Sequence, residues 1–224
     1  YKLSGSQEWR GYELPYEARK TKNLQLWEDA SGHIYMLIYD RPDLLLADFW
    51  NETWTFEVID TGSGSHPGSG ISSQCMTIDD NGALNVFYRN NSEGEMKHAI
   101  RNGGQWTYQT IEPEPVLNQA LEVNCVTDSF GYFHCFLTTM DSRYVHLYGR
   151  ETIWYQEEVA PYRVEEASVV LRENNQFEIL ACAGGVRDLV KLTSQTYQPV
   201  PSSSIYGVIV LLLTIGIMVK MNRR

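Results

Sequence analysis

Three arginines, Arg41, Arg89 and Arg187, follow alternating apolar runs at corresponding points of the chain. Placed this way they are candidates to converge on one carboxylate, because a guanidinium presents a planar fork of donors that a carboxylate accepts bidentately. Hydrolysis of an acidic glycoside would need that grip together with an activated nucleophile and an acid, and spacing assigns no Tyr/Glu pair to those roles. Solvated loop arginines are the competing reading. The histidines (His33, His66, His98, His134, His146) show no HxxxH or CxxC ligand spacing, so no metal or other cofactor is expected. His98 and His146 fall at the same phase of their local strands, which points to a repeated structural role. Asp79-Asp80-Asn81-Gly82 lacks the longer alternating oxygen-ligand loop of a calcium site. It reads as a turn in which Asp accepts backbone N–H groups and Gly takes a positive φ. No catalytic residue is assigned, and the balance is against an enzyme.

The elements that carry these residues repeat. "ASGHIYMLIYD" (30–40), "DNGALNVFYRN" (80–90), "SFGYFHCFLTT" (129–139) and "ENNQFEILACA" (173–183) recur about every 50 residues, each a tight turn followed by an alternating strand. A short apolar strand precedes each turn, a third strand follows, and a fourth opens on an aromatic: Trp54, Trp106, Trp154 and a weaker run, "TYQPV". Four short strands per ~45 to 50 residues, with period-2 alternation, are the pattern of a β-propeller blade. The expected fold is therefore all-β, with four-stranded antiparallel blades at about 24–61, 71–112, 121–160 and 165–200. A sandwich of sixteen strands is the competing fold, and it gives no reason for Trp to recur in phase. "EWRGYEL" (8–14), with Trp9, matches only a fourth strand. It either completes the last blade and closes the ring, or ends a blade that precedes Tyr1.

The phrase "TIDDNGALNVFYRN" with "MKHAIRNGGQWTYQTIE" resembles the sialidase-like, Asp-box-related propeller repeats. The resemblance covers roughly 8–200 and implies the fold. None of the turns carries the full Ser/Thr-x-Asp-x-Gly-x-x-Trp pattern, and fold likeness does not transfer activity.

Aligning the turns puts Cys125 and Cys135 where other blades have Met76 and Val86, Leu26 and Met36, and Val169 and Ile179. This is a core-facing pair on neighbouring strands. Opposed Cβ atoms lie ~4.5 to 5.5 Å apart, slightly beyond what a disulfide prefers, so a Cys125–Cys135 bond and two buried free thiols both stay open. Cys75 and Cys182 are expected to be free. The recurrent Trp residues read as blade packing, whereas Trp27 and Trp50 fall outside that phase and are candidate contact aromatics. Asn51-Glu52-Thr53 and Asn90-Asn91-Ser92 are glycosylation sequons.

The 224 residues are 43% hydrophobic with a net charge of −10, which leaves no electrostatic footprint for nucleic acid. Ile205 to Val219 carries no charge and is followed by Lys220, Arg223 and Arg224. The pattern predicts a membrane helix over 205–221 after a 201–204 linker, with 222–224 as a basic cytoplasmic tail and the propeller extracytoplasmic. A buried core helix and a removed anchoring signal are the competing readings. Residues 1–20 form no leader, so an export signal is expected upstream of Tyr1. The expected function is a non-catalytic, membrane-anchored binding module, an accessory subunit that meets other membrane subunits and the lipid bilayer. The alternative is a surface lectin or sialidase-like hydrolase with a glycan partner.

Overall fold

The structure is a computed structural model. It describes residues 26–40, 42–62, 70–91, 93–111, 122–139, 141–160, 163–173, 175–183 and 188–193. Blade I contains β1 (Leu26–Glu28), β2 (Ile34–Asp40), β3 (Asp43–Trp50) and β4 (Thr53–Thr61). Blade II contains β5 (Ile71–Ile78), β6 (Leu84–Asn90), β7 (Glu95–Asn102) and β8 (Gln105–Ile111). Blade III contains β9 (Glu122–Thr127), β10 (Phe133–Thr138), β11 (Tyr144–Arg150) and β12 (Ile153–Ala160). Blade IV contains β13 (Val164–Leu171), β14 (Phe177–Ala183) and β15 (Asp188–Thr193). Each sheet is an antiparallel meander with strands in chain order. The described residues form four blades of an all-β propeller. The strands expected at 8–14 and 196–200 and the helix expected at 205–221 lie outside the described residues.

Turn chemistry explains why the meanders form. Asn51 and Glu52 (φ 49° and 62°), and Gly103 and Gly104 (φ 56° and 80°), take two successive positive φ values between third and fourth strands. That backbone matches the twist of a two-residue hairpin. The inner strands β5 and β13 begin earlier than their apolar runs suggest. Their registers shift between Ser72 and Cys75 and between Glu165 and Ser168, and such bulges break the period-2 signal on which a strand is read.

Alternation turns apolar faces of neighbouring blades toward each other, and among the described residues these meet in three inter-blade cores. Met36, Ile38, Leu45 and Ala47 form a fourth cluster with Trp54 and Phe56 on the other face of blade I. Tyr35, Leu37, Leu44 and Leu46 pack on Leu84, Val86 and Tyr88 between blades I and II. Phe87, Met96 and Ile111 pack on Phe133, Leu137 and Val145 between II and III. Phe136, Tyr144 and Tyr148 pack on Phe177, Ile179 and Ala181 between III and IV. Trp106 and Trp154 pack against the first and second of these cores, which fits the blade-packing role. Trp9 lies outside the described residues. Polar ties cross the same seams, with Tyr88 donating to Asp60 at 2.9 Å and Tyr108 to the Ile59 carbonyl at 2.9 Å.

Candidate functional site

Three blades close their first turn with the same aspartate device. Asp29 Oδ1 accepts the Ser31 and His33 amides, Asp79 Oδ1 those of Asn81 and Ala83, and Asp128 Oδ1 those of Phe130 and Tyr132, all at 2.8 to 3.0 Å. Gly82 has φ +78°, so the Asp79–Gly82 stretch is the turn its sequence suggests. In blade IV, Arg172 stands in the aspartate's place.

The second oxygen of each aspartate starts a polar chain that crosses its blade on the face toward the next. Tyr35 donates to Asp29 Oδ2 at 3.0 Å in blade I. In blade II, Asn85 Nδ2 reaches Asp79 Oδ2 at 3.5 Å, His98 Nε2 donates to Asn85 Oδ1 at 2.9 Å, and Gln109 Nε2 donates to His98 Nδ1 at 2.6 Å. In blade III, His134 Nε2 lies 3.3 Å from Asp128 Oδ2, His134 Nδ1 2.9 Å from His146 Nε2, and His146 Nδ1 2.7 Å from Glu157 Oε1. In blade IV, Arg172 Nε and Lys191 Nζ each donate to Glu178 at 3.1 Å. Here the shared phase of His98 and His146 acquires its structural meaning. The signal that finds the whole set is a spacing of six from turn residue to second strand, and of eleven from His98 to Gln109 and from His146 to Glu157.

Burial governs the titration of these rings. His98 is pushed down to about 3 by burial, because a charged imidazole would lose its hydration. His146 falls to about 4, with burial outweighing the hydrogen bond to Glu157 that works to raise it. His134 is lowered by burial against the pull of Asp128. At Asp128 burial works upward, but the bonds from His134 and the Tyr132 and Phe130 amides prevail and leave the carboxyl below its ordinary value.

The two contact aromatics fall in different places. Trp50 is 42% exposed at the end of β3, in phase with Leu44 and Leu46, which pack toward blade II. Its indole stacks on the His33 ring at 4.2 Å with 5° between planes, and His33 Nδ1 in turn contacts Asp48 Oδ1 at 3.0 Å. Arg101 of blade II pairs with Glu57 of blade I at 2.9 Å and exerts its charge on Tyr35. Trp27 instead lines a channel of about 380 Å³ that is also walled by Asn124, Cys125 and Ser168 from the inner strands of blades III and IV.

Of the arginine trio, Arg89 alone lies among the described residues. Arg89 is half-buried, its pKa lowered by burial, and its Nε has no hydrogen-bond partner; Arg41 and Arg187 lie outside the described residues, as does His66. Cys125 and Cys135 stand directly opposite in the β9–β10 register, and the structure holds both as free thiols. Cys75 of blade II joins them across the seam in the same core. Burial pushes the Cys75 and Cys125 thiols up, which suits core packing rather than nucleophilic chemistry. In the second sequon Asn90 is 1% exposed, and its Nδ2 donates to Asp60 at 3.3 Å. Asn51 is exposed in its hairpin turn.

Among the described residues no group of three His, Cys, Asp or Glu side chains is arranged to hold a metal. No helix among them is long and apolar enough to cross a membrane, and Ile205, Val219, Lys220, Arg223 and Arg224 lie outside them.

No protein-family model matches the chain. No curated protein matches it by sequence. Solved structures match it by fold. A candidate exo-β-1,3-galactanase from Bifidobacterium bifidum s17 superposes with TM-score 0.53 at 10% identity, over 76% of this chain and 65% of its own. The SapL1 lectin in complex with α-methyl fucoside gives 0.52 at 11% identity, over 75% and 57%. A GH43 β-1,3-galactosidase with galactodeoxynojirimycin gives 0.51 at 13% identity, over 76% and 70%. The chain thus spans about two-thirds or less of the first two. At these identities the likeness establishes one thing, a β-propeller, in agreement with the blades described above.

Proposed function

We propose that the protein is a carbohydrate-binding propeller whose sugar rests on Trp50, on the face of blade I turned toward blade II. The observation that carries this reading is the Trp50–His33 stack. One indole face is held flat against the His33 ring, and the side chain remains 42% exposed. Asp48 stands beside the stack, its carboxylate in contact with His33. A flat apolar ring complements the C–H face of a pyranose, while a carboxylate accepts hydrogen bonds from its hydroxyls. Glycan-active proteins recur among the similar folds, which supports the reading as an analogy only.

A membrane tether through 205–221 and an extracytoplasmic location remain part of the proposal. They rest on the uncharged run and the basic residues that follow it. Partnership with other membrane subunits has no support beyond that run, and it gives way to the glycan reading.

The test is a glycan array on the purified protein, followed by calorimetric titration with the best hit. Binding is expected in wild type and should weaken at least about tenfold in Trp50→Ala, a loss of roughly 1.4 kcal/mol, with an unchanged circular dichroism spectrum. A silent array, or full affinity in Trp50→Ala, overturns the proposal.

A further inference from the structure

Blade III repeats the polar chain of blade II with different groups, and counting protons along the two gives different answers. In blade II two of the groups are amides. The Asn85 carbonyl accepts from His98 Nε2–H, and the Gln109 amide donates to His98 Nδ1. Every contact has one hydrogen, and the imidazole is neutral. In blade III, Asp128 accepts two backbone amides and is held as a carboxylate, so His134 must donate to it from Nε2. A neutral His134 then has a bare Nδ1, and His146 must donate to it from Nε2. That leaves His146 Nδ1 without a hydrogen, 2.7 Å from a carboxylate oxygen of Glu157. Three contacts need three protons, and two neutral imidazoles bring two.

We propose that this chain is a proton latch: the closed geometry is its three-proton state, with the extra proton between His146 Nδ1 and Glu157 Oε1, and loss of that proton frees Glu157 from β11. Two lone pairs facing each other at this distance repel, so the unloaded contact opens. Opening is feasible at this end alone, because the Glu157 side chain is 26% exposed while those of Asp128 and His134 are fully buried. Burial opposes the charged ring and pulls His146 down to about 4. The latch therefore loads on acidification and stands open at neutral pH.

Among the described residues the surroundings add little that competes. Tyr148 lies beside both rings, at 6.1 Å from His134 and 4.9 Å from His146, with Tyr155 stacked on it at 5.3 Å. Tyr132 and Tyr144 share this face, and Arg150 donates to the Phe130 carbonyl at its edge. Blade IV presents Phe177, at 4.6 Å and 5.4 Å from the two rings, together with Val169, Leu171 and Ile179. Glu178, with Arg172 and Lys191, alternates onto the opposite face of β14.

Glu157→Gln tests the latch by converting blade III to the chemistry of blade II, since a Gln amide donates to His146 Nδ1 without an added proton. Urea unfolding at pH 7.5 should give the variant a folding constant about tenfold above wild type, one net hydrogen bond's worth. The advantage should vanish by pH 4, where wild type loads its proton and the amide blocks loading. No advantage at pH 7.5, or an equal one at both values, overturns the proposal. Gln109→Glu supplies the converse: it should weaken blade II at pH 7.5 and recover on acidification, and a pH-independent loss counts against the latch. Nitrogen NMR of the histidines gives a third readout. His146 Nδ1 should take up a proton on acidification in wild type but not in Glu157→Gln over the same range, and identical titrations refute the assignment.

Discussion

Adding a single methyl at Gly149 tests how closely the outer strand of blade III is folded over its neighbour. Gly149 faces Trp154 in the β11–β12 register. A Cβ there would lie 2.4 Å from the Ile153 carbonyl oxygen and 2.6 Å from Trp154 Cδ2. The carbonyl belongs to the β11–β12 hairpin, so the indole is the group that can leave. Trp154 packs edge-on to Phe87 at 5.8 Å and to His98 at 6.1 Å, against the core between blades II and III. Lifting it away exposes about 90 Å² of apolar surface, roughly half an indole. At ~25 cal/mol per Å² this is about 2 kcal/mol, and losing the edge-on contacts adds about 1 kcal/mol. Gly149→Ala should therefore destabilise the propeller by about 3 kcal/mol, a large part of the 5 to 15 kcal/mol typical of a domain. Urea unfolding followed by far-ultraviolet circular dichroism measures it. The Gly149→Ala/Trp154→Ala double variant should lose at least about 1 kcal/mol less than the sum of the singles, because one clash is removed with the indole. A loss below about 1 kcal/mol in Gly149→Ala, or strict additivity, would refute the packing argument.

Acid sensitivity should follow from His98. The unfolded imidazole titrates near ~6.5, while burial holds the folded one down to about 3. Its contribution is therefore complete above ~6.5 and declines as pH falls toward the folded value, where the unfolded chain binds the extra proton. Urea midpoints at pH 7, 5 and 4 should fall in wild type and fall less in His98→Gln; equal slopes would exclude His98 as the source. For the cysteines, Ellman's reagent should modify the partly exposed Cys125 and Cys182 in the native protein, while the buried Cys75 and Cys135 react only on unfolding. Peptide mapping without reductant should recover Cys125 and Cys135 separately, and a cross-linked pair would contradict the thiol assignment.

The sequence by itself determined the blades. Period-2 alternation and turn residues are local properties, and when one face is buried against each neighbour the pattern recurs with every repeat. This is why the β2, β6, β10 and β14 runs, the third strands and the role of Gly82 were all legible from residue types. It also placed Cys125 opposite Cys135, because the phase of an antiparallel pair fixes who faces whom. Contacts across seams depended on the tertiary structure. Cys75 joins the other two thiols only because blade II stacks on blade III. Likewise the Asn90 side chain meets Asp60 only because blade II stacks on blade I. The four-group chains were beyond local reading for the same reason. Asp128, His134, His146 and Glu157 sit on four different segments of the blade, and only the sheet register sets their imidazole and carboxylate groups within hydrogen-bond distance. Trp50 was marked by its odd phase, but its flat setting on His33 is a property of the folded first turn.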